Sequence, residues 1–290
     1  MNRTVKLISY AQEVDMGGFP VRQPLPTRLI DSLDPFLLLH HAEVKYSAGR
    51  KQSQVGVGPH PHRGFSPVSF IYKGGVHHRD AMGNDHVVME GGLQWMNSAR
   101  GTVHSERPPK DMAENGGVQE FIQLWVNTPR AKKMEQPSYQ PLTKEDTPTF
   151  FSDDKKVTIG VQVGEYNGFK SPVKSDTEII ALRADFKKDG AFTFRLDKKF
   201  NVFAYVLNGK ISVEKHGLVE EKNLIIFNQD GDEFTIAALE DAQVLVLAGI
   251  PLNEAVETYG PFVMSTTTEI MEAIRDYQMG KMGVLIENFE

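Results

Sequence analysis

The segment GVGPHPHRGF, residues 56–65, sets His60 and His62 two positions apart among glycines and prolines. Residues i and i+2 of an extended chain project to the same face, so the two imidazoles point the same way. Later in the chain HSE places His104 and Glu106 in the same relation. If both segments face one barrel interior, three imidazole nitrogens and one carboxylate oxygen converge. Such a donor set suits a borderline divalent cation: Fe, Mn, Co, Ni, Cu or Zn. Four protein donors on an ion that prefers six leave positions for water, substrate or dioxygen. A structural zinc site would more often be a closed tetrahedron containing cysteine.

The other histidines carry less. His40 and His41, like His77 and His78, are neighbours that point to opposite faces in a strand, so neither pair supplies two ligands to one centre. His78 and His86 are expected on hairpin surfaces, as non-ligands. Arg63 and Arg100 flank the ligand segments and are expected to be solvated. Trp95, Met96 and Phe65 are read first as barrel core, with an apolar surface for an aromatic substrate as the functional alternative. Gln94 and Gln123 alternate with apolar neighbours and could hydrogen-bond to a metal ligand.

The chain has 290 residues and no cysteine. That excludes disulfides, thiolate metal sites and a cysteine nucleophile, so any metal rests on imidazole and carboxylate. Apolar residues make up 40% and charged residues 24%, which fits a globular protein. With 32 Lys and Arg against 38 Asp and Glu, the net charge is −6. Direct nucleic-acid binding, which needs clustered cations, is disfavoured. No run approaches the roughly 18 apolar residues of a membrane span, and no apolar segment follows Met1 as a secretory signal would require. The expectation is a cytoplasmic protein with no membrane contact, monomeric by default.

Short apolar stretches separated by turn residues dominate: PVSFIYKGG, HVVMEGG, LQWMNSARG and TVHSE in the first half, IIALRADF, NVFAYVLNGKISVE and AQVLVLAG in the second. This rhythm predicts an all-β protein of sandwich or barrel type. Residues 127–150 carry four prolines and no period, and read as a connection between two β barrels. The expected division is a metal-binding domain over 1–132, a linker over 133–144, and a second domain over 145–290. Asn208-Gly209 reads as a hairpin turn. STTTEIMEAIRDYQMGKMG predicts a helix capped by Thr267 or Thr268, with Ile270, Ile274 and Tyr277 on one face and Gly280 at its end.

HPHRGF, followed by LQWM, ARGTVHSE and QLWVN, closely resembles the pirin family, a branch of the cupins. LDPFLLL at 33–39, MEQPSYQPL at 134–142 and GPFVMST at 260–266 extend the resemblance over essentially the whole chain. It implies a bicupin, two tandem jelly-roll barrels packed face to face, with a short C-terminal helix and a metal only in the first barrel. The family's ligands correspond to His60, His62, His104 and Glu106, and its usual metal is Fe(II). Ser66 stands near the place where a general cupin carries an acid, which shifts the carboxylate duty to Glu106. Ala99 replaces the proline of the second cupin motif. In the second barrel, Phe194 and Leu196 stand where a ligand pair would be. Two roles follow by resemblance. One is a quercetin 2,3-dioxygenase type of enzyme that opens a flavonol ring with O2 and releases carbon monoxide, Glu106 acting as catalytic base. The other is a non-catalytic, redox-sensing regulator of transcription that binds partner proteins through its iron-loaded domain.

Overall fold

The computed structural model describes residues 1–16 and 19–289. They form an all-β protein in which the α-helices are Lys110–Asn115 and Thr267–Gln278. The contacts group into two compact units, each a barrel of two antiparallel sheets.

The unit made of Leu39–Lys144 and Asn253–Glu290 contains both the HPH and the HSE segments. Its larger sheet includes Ser138–Leu142, Leu93–Asn97, Phe65–Lys73 and Gly117–Asn127, side by side in that order. Its smaller sheet runs Val57–His62, Thr102–Arg107, Gly75–Asp80, Asp85–Met89. Glycine fixes one corner of this barrel: Gly64 has φ +86°, and a Cβ there would lie 1.9 Å from the Val263 carbonyl. The fully buried Lys133 ammonium ties the same corner, donating to the carbonyls of Gly64 and Val263 and to Asn127 Oδ1.

The other unit joins Met1–Leu38 to Glu145–Leu252. Its sheets run Val5–Tyr10, Asn223–Phe227, Asn201–Asn208, Ala242–Gly249, Ile179–Phe186, Val157–Val163, Thr149–Phe151, and Ala191–Arg195, Glu233–Ala238, Ile211–Val213, Gly217–Val219. Alternating apolar residues from both sheets fill the space between them, among them Phe194, Leu196, Phe227, Phe234 and Ile236.

A contiguous split at residues 132 and 144 differs from these units at both ends. Val5–Tyr10 pairs with Asn223–Phe227, and the Arg3 guanidinium donates to the carbonyls of Leu196, Asp197 and Asn228. At the other end, Ile270 and Ala273 pack with Val103, and Asp276 accepts two hydrogen bonds from Arg63 at 3.1 Å. Non-local pairing of this kind leaves no mark on composition.

Two local expectations also change. Asn208-Gly209 closes no hairpin: Asn201–Asn208 belongs to the large sheet and Ile211–Val213 to the small one, so the turn is a corner between sheets. Gly209 serves it at φ +80°, where a Cβ would meet the Asp241 carbonyl at 2.4 Å. The helix cap is Thr266, one residue early, its hydroxyl accepting from the Glu269 amide.

Candidate metal centre

Val57–His62 and Thr102–Arg107 pair antiparallel, with His60 opposite His104 and His62 opposite Thr102. Same-face alternation on one strand and direct opposition across the pair bring His60, His62 and His104 together. Their ligating nitrogens all lie within 4.8 Å of one another. His62 and His104 are buried, while His60 is half-buried and gives the cluster its side toward solvent.

Each ring is anchored through one nitrogen. His60 Nδ1 meets the Gly58 carbonyl at 2.8 Å, and His62 is hydrogen-bonded to the Pro261 carbonyl. His104 Nδ1 lies 3.3 Å from His78 Nδ1. His62 Nδ1 and His104 Nε2 are buried without a hydrogen-bond partner. Left unmet, such atoms cost about 1–3 kcal/mol each, and an ion accepting their lone pairs removes that cost. Burial, and then the charge of His60, holds His62 well below the ordinary histidine range. Burial does the same for His104, followed by the charges of His60, His62 and His78. Both rings are therefore neutral near pH 7, the form that ligates metals. The donor set fits a divalent transition ion.

Of the four expected ligands, three imidazoles come together and Glu106 does not join their group. The strand pairing slips between His104 and Glu106, and the carboxylate is engaged from across the barrel. Its Oε1 accepts from Ser69 Oγ at 3.1 Å and Gln94 Nε2 at 2.8 Å, and its Oε2 from Gln123 Nε2 at 2.8 Å. All three donors stand on the large sheet, Glu106 on the small one. Gln94 is held in turn by Tyr139, whose hydroxyl donates to its Oε1 at 3.3 Å.

His78 is not on a hairpin surface. It is 1% exposed, stacks on Tyr139 with ring centroids 4.0 Å apart, and gives Nε2 to Asp80 at 3.0 Å. A singly protonated imidazole whose Nε2–H goes to Asp80 presents a lone pair at Nδ1. His104 must then donate its Nδ1–H, which leaves His104 Nε2 bare toward the cluster. Asp80 itself is fixed by the amides of Met82 and Asn84 and by the Asn84 side chain. Burial pushes its carboxyl up, but hydrogen bonds from His78 and Asn84 outweigh this and leave it below the usual range. His86 is exposed, as expected.

The remaining expectations divide. Phe65, Trp95 and Met96 are buried core. Arg63 is not solvated: it is 4% exposed and bound to Asp276 and the Arg100 carbonyl, a clamp rather than a substrate guide. Arg100 is exposed. Sequence reasoning missed Ser69, Tyr139, Asp80 and Trp125. The half-buried Trp125 sits 5.6 Å from His62 and 4.2 Å from Phe65, centroid to centroid.

This arrangement can be set against known proteins. The family model "Pirin" matches residues 18–126, and "Pirin C-terminal cupin domain" matches residues 181–283. The chain belongs to the pirin family. Rat pirin is 33% identical over 287 residues, which span 97% of this chain and 93% of that protein. A crystal structure of quercetin 2,3-dioxygenase from Acinetobacter baumannii superposes with a TM-score of 0.92 at 36% identity, covering 99% of this chain and all of that one. A bacterial pirin from Escherichia coli, solved in complex with nickel(II), shares the fold at 17% identity and a TM-score of 0.65, covering 84% of this chain and all of that one. Pirin membership accounts for the two-barrel architecture. Among the described residues, no helix is long and apolar enough to cross a membrane.

Proposed function

We propose that this pirin-family protein is a mononuclear metal enzyme of the quercetin 2,3-dioxygenase type, acting on a flavonol and O2. The observation that carries the reading is the cluster of His60, His62 and His104, two of them with bare buried nitrogens, in the same barrel as a carboxylate steered by three donors. The likeness to the Acinetobacter baumannii dioxygenase over the whole chain supports the substrate class.

His60, His62 and His104 would hold the ion, with Fe(II) as the metal the family resemblance favours. Glu106 would become a fourth donor only by turning away from Ser69, Gln94 or Gln123. Such an ion supplies Lewis acidity toward a phenolic oxygen and positions open to dioxygen. The protein's own part is proton handling and placement. Glu106 is the base for the flavonol 3-hydroxyl proton, and Ser69, Gln94 and Gln123 fix where its oxygens point. His60 marks the side from which substrate arrives. Trp125 offers an aromatic face next to His62 against which a flavonol ring can lie.

The test is anaerobic loading with Fe(II), then air and quercetin, following loss of the flavonol absorbance and release of carbon monoxide. Turnover in the natural protein, with a kcat lower by about 100-fold or more in Glu106→Gln, is the expected result. Stoichiometric metal binding without turnover on any of several flavonols with several metals overturns the enzyme reading and moves the protein to the redox-sensing regulators.

A further inference from the structure

Gly75–Asp80 has two faces. Its inward side chains, His78 and Asp80, support the histidine cluster, while His77 and Arg79 point the other way. On that outer side lies a cavity of about 710 Å³ lined by Arg50, Lys51, Arg79 and Lys110, with Glu114 as the lining acid and Phe289 as an aromatic wall. Four permanent cations against one carboxylate are conspicuous in a chain of net charge −6.

Arg79 decides what the cavity is for. It is only 8% exposed, and its guanidinium is oriented by Asp85 Oδ2 at Nε, 3.0 Å, and by Gln52 Oε1 at Nη2, 3.2 Å. Gln52 is itself fixed by the Pro108 carbonyl at 2.8 Å and by His77 Nδ1 at 2.9 Å. Nη1 is left buried with no hydrogen-bond partner. The nearest carboxylate oxygen, Glu287 Oε1, is 3.9 Å away and already accepts from Arg107 Nε at 2.7 Å. Asp85 also receives His77 Nε2. Asp85 and Glu287 are thus committed, which leaves Glu114 as the one lining acid, and among the described residues Arg50, Lys51 and Lys110 form no ion pair. A rigid guanidinium with an unmet N–H, ringed by three uncompensated cations, is built to receive oxygen anions.

We propose that this cavity binds a small, multiply charged oxyanion, a polyphosphate or polycarboxylate, on Arg79 Nη1 with Arg50, Lys51 and Lys110 around it. The site is independent of the reading of the metal centre. The test is calorimetric titration of the purified protein with pyrophosphate and, separately, with citrate. One saturable site per chain is expected for at least one of them, weakening as salt is raised. Lys51→Glu combined with Lys110→Glu, both at exposed positions, should weaken binding about tenfold or more. Arg79→Lys, which keeps a charge but removes the Nη1 donor, should weaken it several-fold. His60→Ala, which disables the histidine cluster, should leave it unchanged. Absence of saturable binding by either anion, indifference to the double charge reversal, or loss in His60→Ala overturns the proposal.

Discussion

Between the sheets of the barrel that carries HPH stand His60, His62, His78, His104, Glu106, Gln94 and Ser69. In the other barrel, Phe194 stacks on Phe234, which stacks on Phe227, with Leu196, Ile236 and Val246 around them. One two-sheet plan thus encloses a polar interior and an apolar one. The side chains that fill the apolar interior stabilise it by burial, about 25 cal/mol for each Å² of apolar surface removed from water. The polar barrel has to pair its groups with one another, because each orphan is costly. It does so almost completely: Glu106 takes three donors, His78 has Asp80, and His60 has Gly58. Within the histidine cluster itself a pair of imidazole nitrogens, His62 Nδ1 and His104 Nε2, stays bare, and Thr102 Oγ1 on the strand of His104 is also buried without a partner. Bare nitrogens that lie together on two of three clustered imidazoles suit an ion, which would take up both lone pairs.

Emptying the polar interior of a ligand should have the largest effect. Elemental analysis of the natural protein should find about one transition metal per chain, falling to nearly none in His60→Ala or His104→Ala. Retained metal in both variants would erase the difference between the barrels. The reverse exchange tests the other side. Phe194→His places a polar ring in a fully buried aromatic stack and should lower stability by about 3–5 kcal/mol in urea unfolding, because transfer free energy is lost and an unpaired group is created. A variant as stable as the parent would show that the second interior tolerates polarity after all.

The polar barrel also carries charge in its wall. Glu120, with its side chain 3% exposed, meets His41 Nε2 at 3.0 Å and Lys73 Nζ at 2.7 Å. Burial pushes its carboxyl up, but the hydrogen bonds and charges of His41 and Lys73 prevail and bring it to about 2. A carboxylate depressed on folding stabilises fully above its unfolded value, near 4.5, and the gain disappears as pH falls toward 2. The interval corresponds to about 3 kcal/mol at most. Urea midpoints measured from pH 5 down to pH 2 should therefore fall less steeply in Glu120→Gln than in the parent. Parallel slopes would remove Glu120 as the source.

How much of this could be read in advance follows from which interactions are local. HPH declares its geometry through i,i+2 alternation, so the meeting of His60 and His62 with His104 was legible. The same rule applied to HSE put Glu106 in the group and missed the slip in strand pairing after His104. The donors that steer Glu106 were not legible, since Ser69, Gln94 and Gln123 reach it from the opposite sheet. Tyr139 was hidden for another reason. Four prolines make residues 127–150 resemble a linker, yet Ser138–Leu142 is a strand paired with Leu93–Asn97. It lies at the end of its sheet, where Pro141 removes no needed donor. Phe194 and Leu196 were legible as non-ligands because no aliphatic or phenyl group can coordinate, wherever it points.

His78 offers the finest test of the polar interior, because it touches a candidate ligand without being one. Alternation along HHRD required one of the adjacent histidines to face inward, and the turn residues nearby obscured which. His78→Phe preserves the stack on Tyr139 but removes both nitrogens, so His104 Nδ1 loses its acceptor and its tautomer is no longer imposed. Metal affinity should fall by about 10- to 100-fold, in line with other residues that orient a ligating histidine, while stability changes far less than in Phe194→His. Asp80→Asn should give a smaller loss: an amide can still accept from His78, but more weakly than a carboxylate. The Cu(II)- or Co(II)-substituted protein supplies a spectroscopic readout that a merely structural role would not move. Its ligand-field bands should shift in His78→Phe. If affinity and spectrum both match the parent, the Asp80–His78–His104 chain does not orient the centre, and His78 is packing for Tyr139 alone.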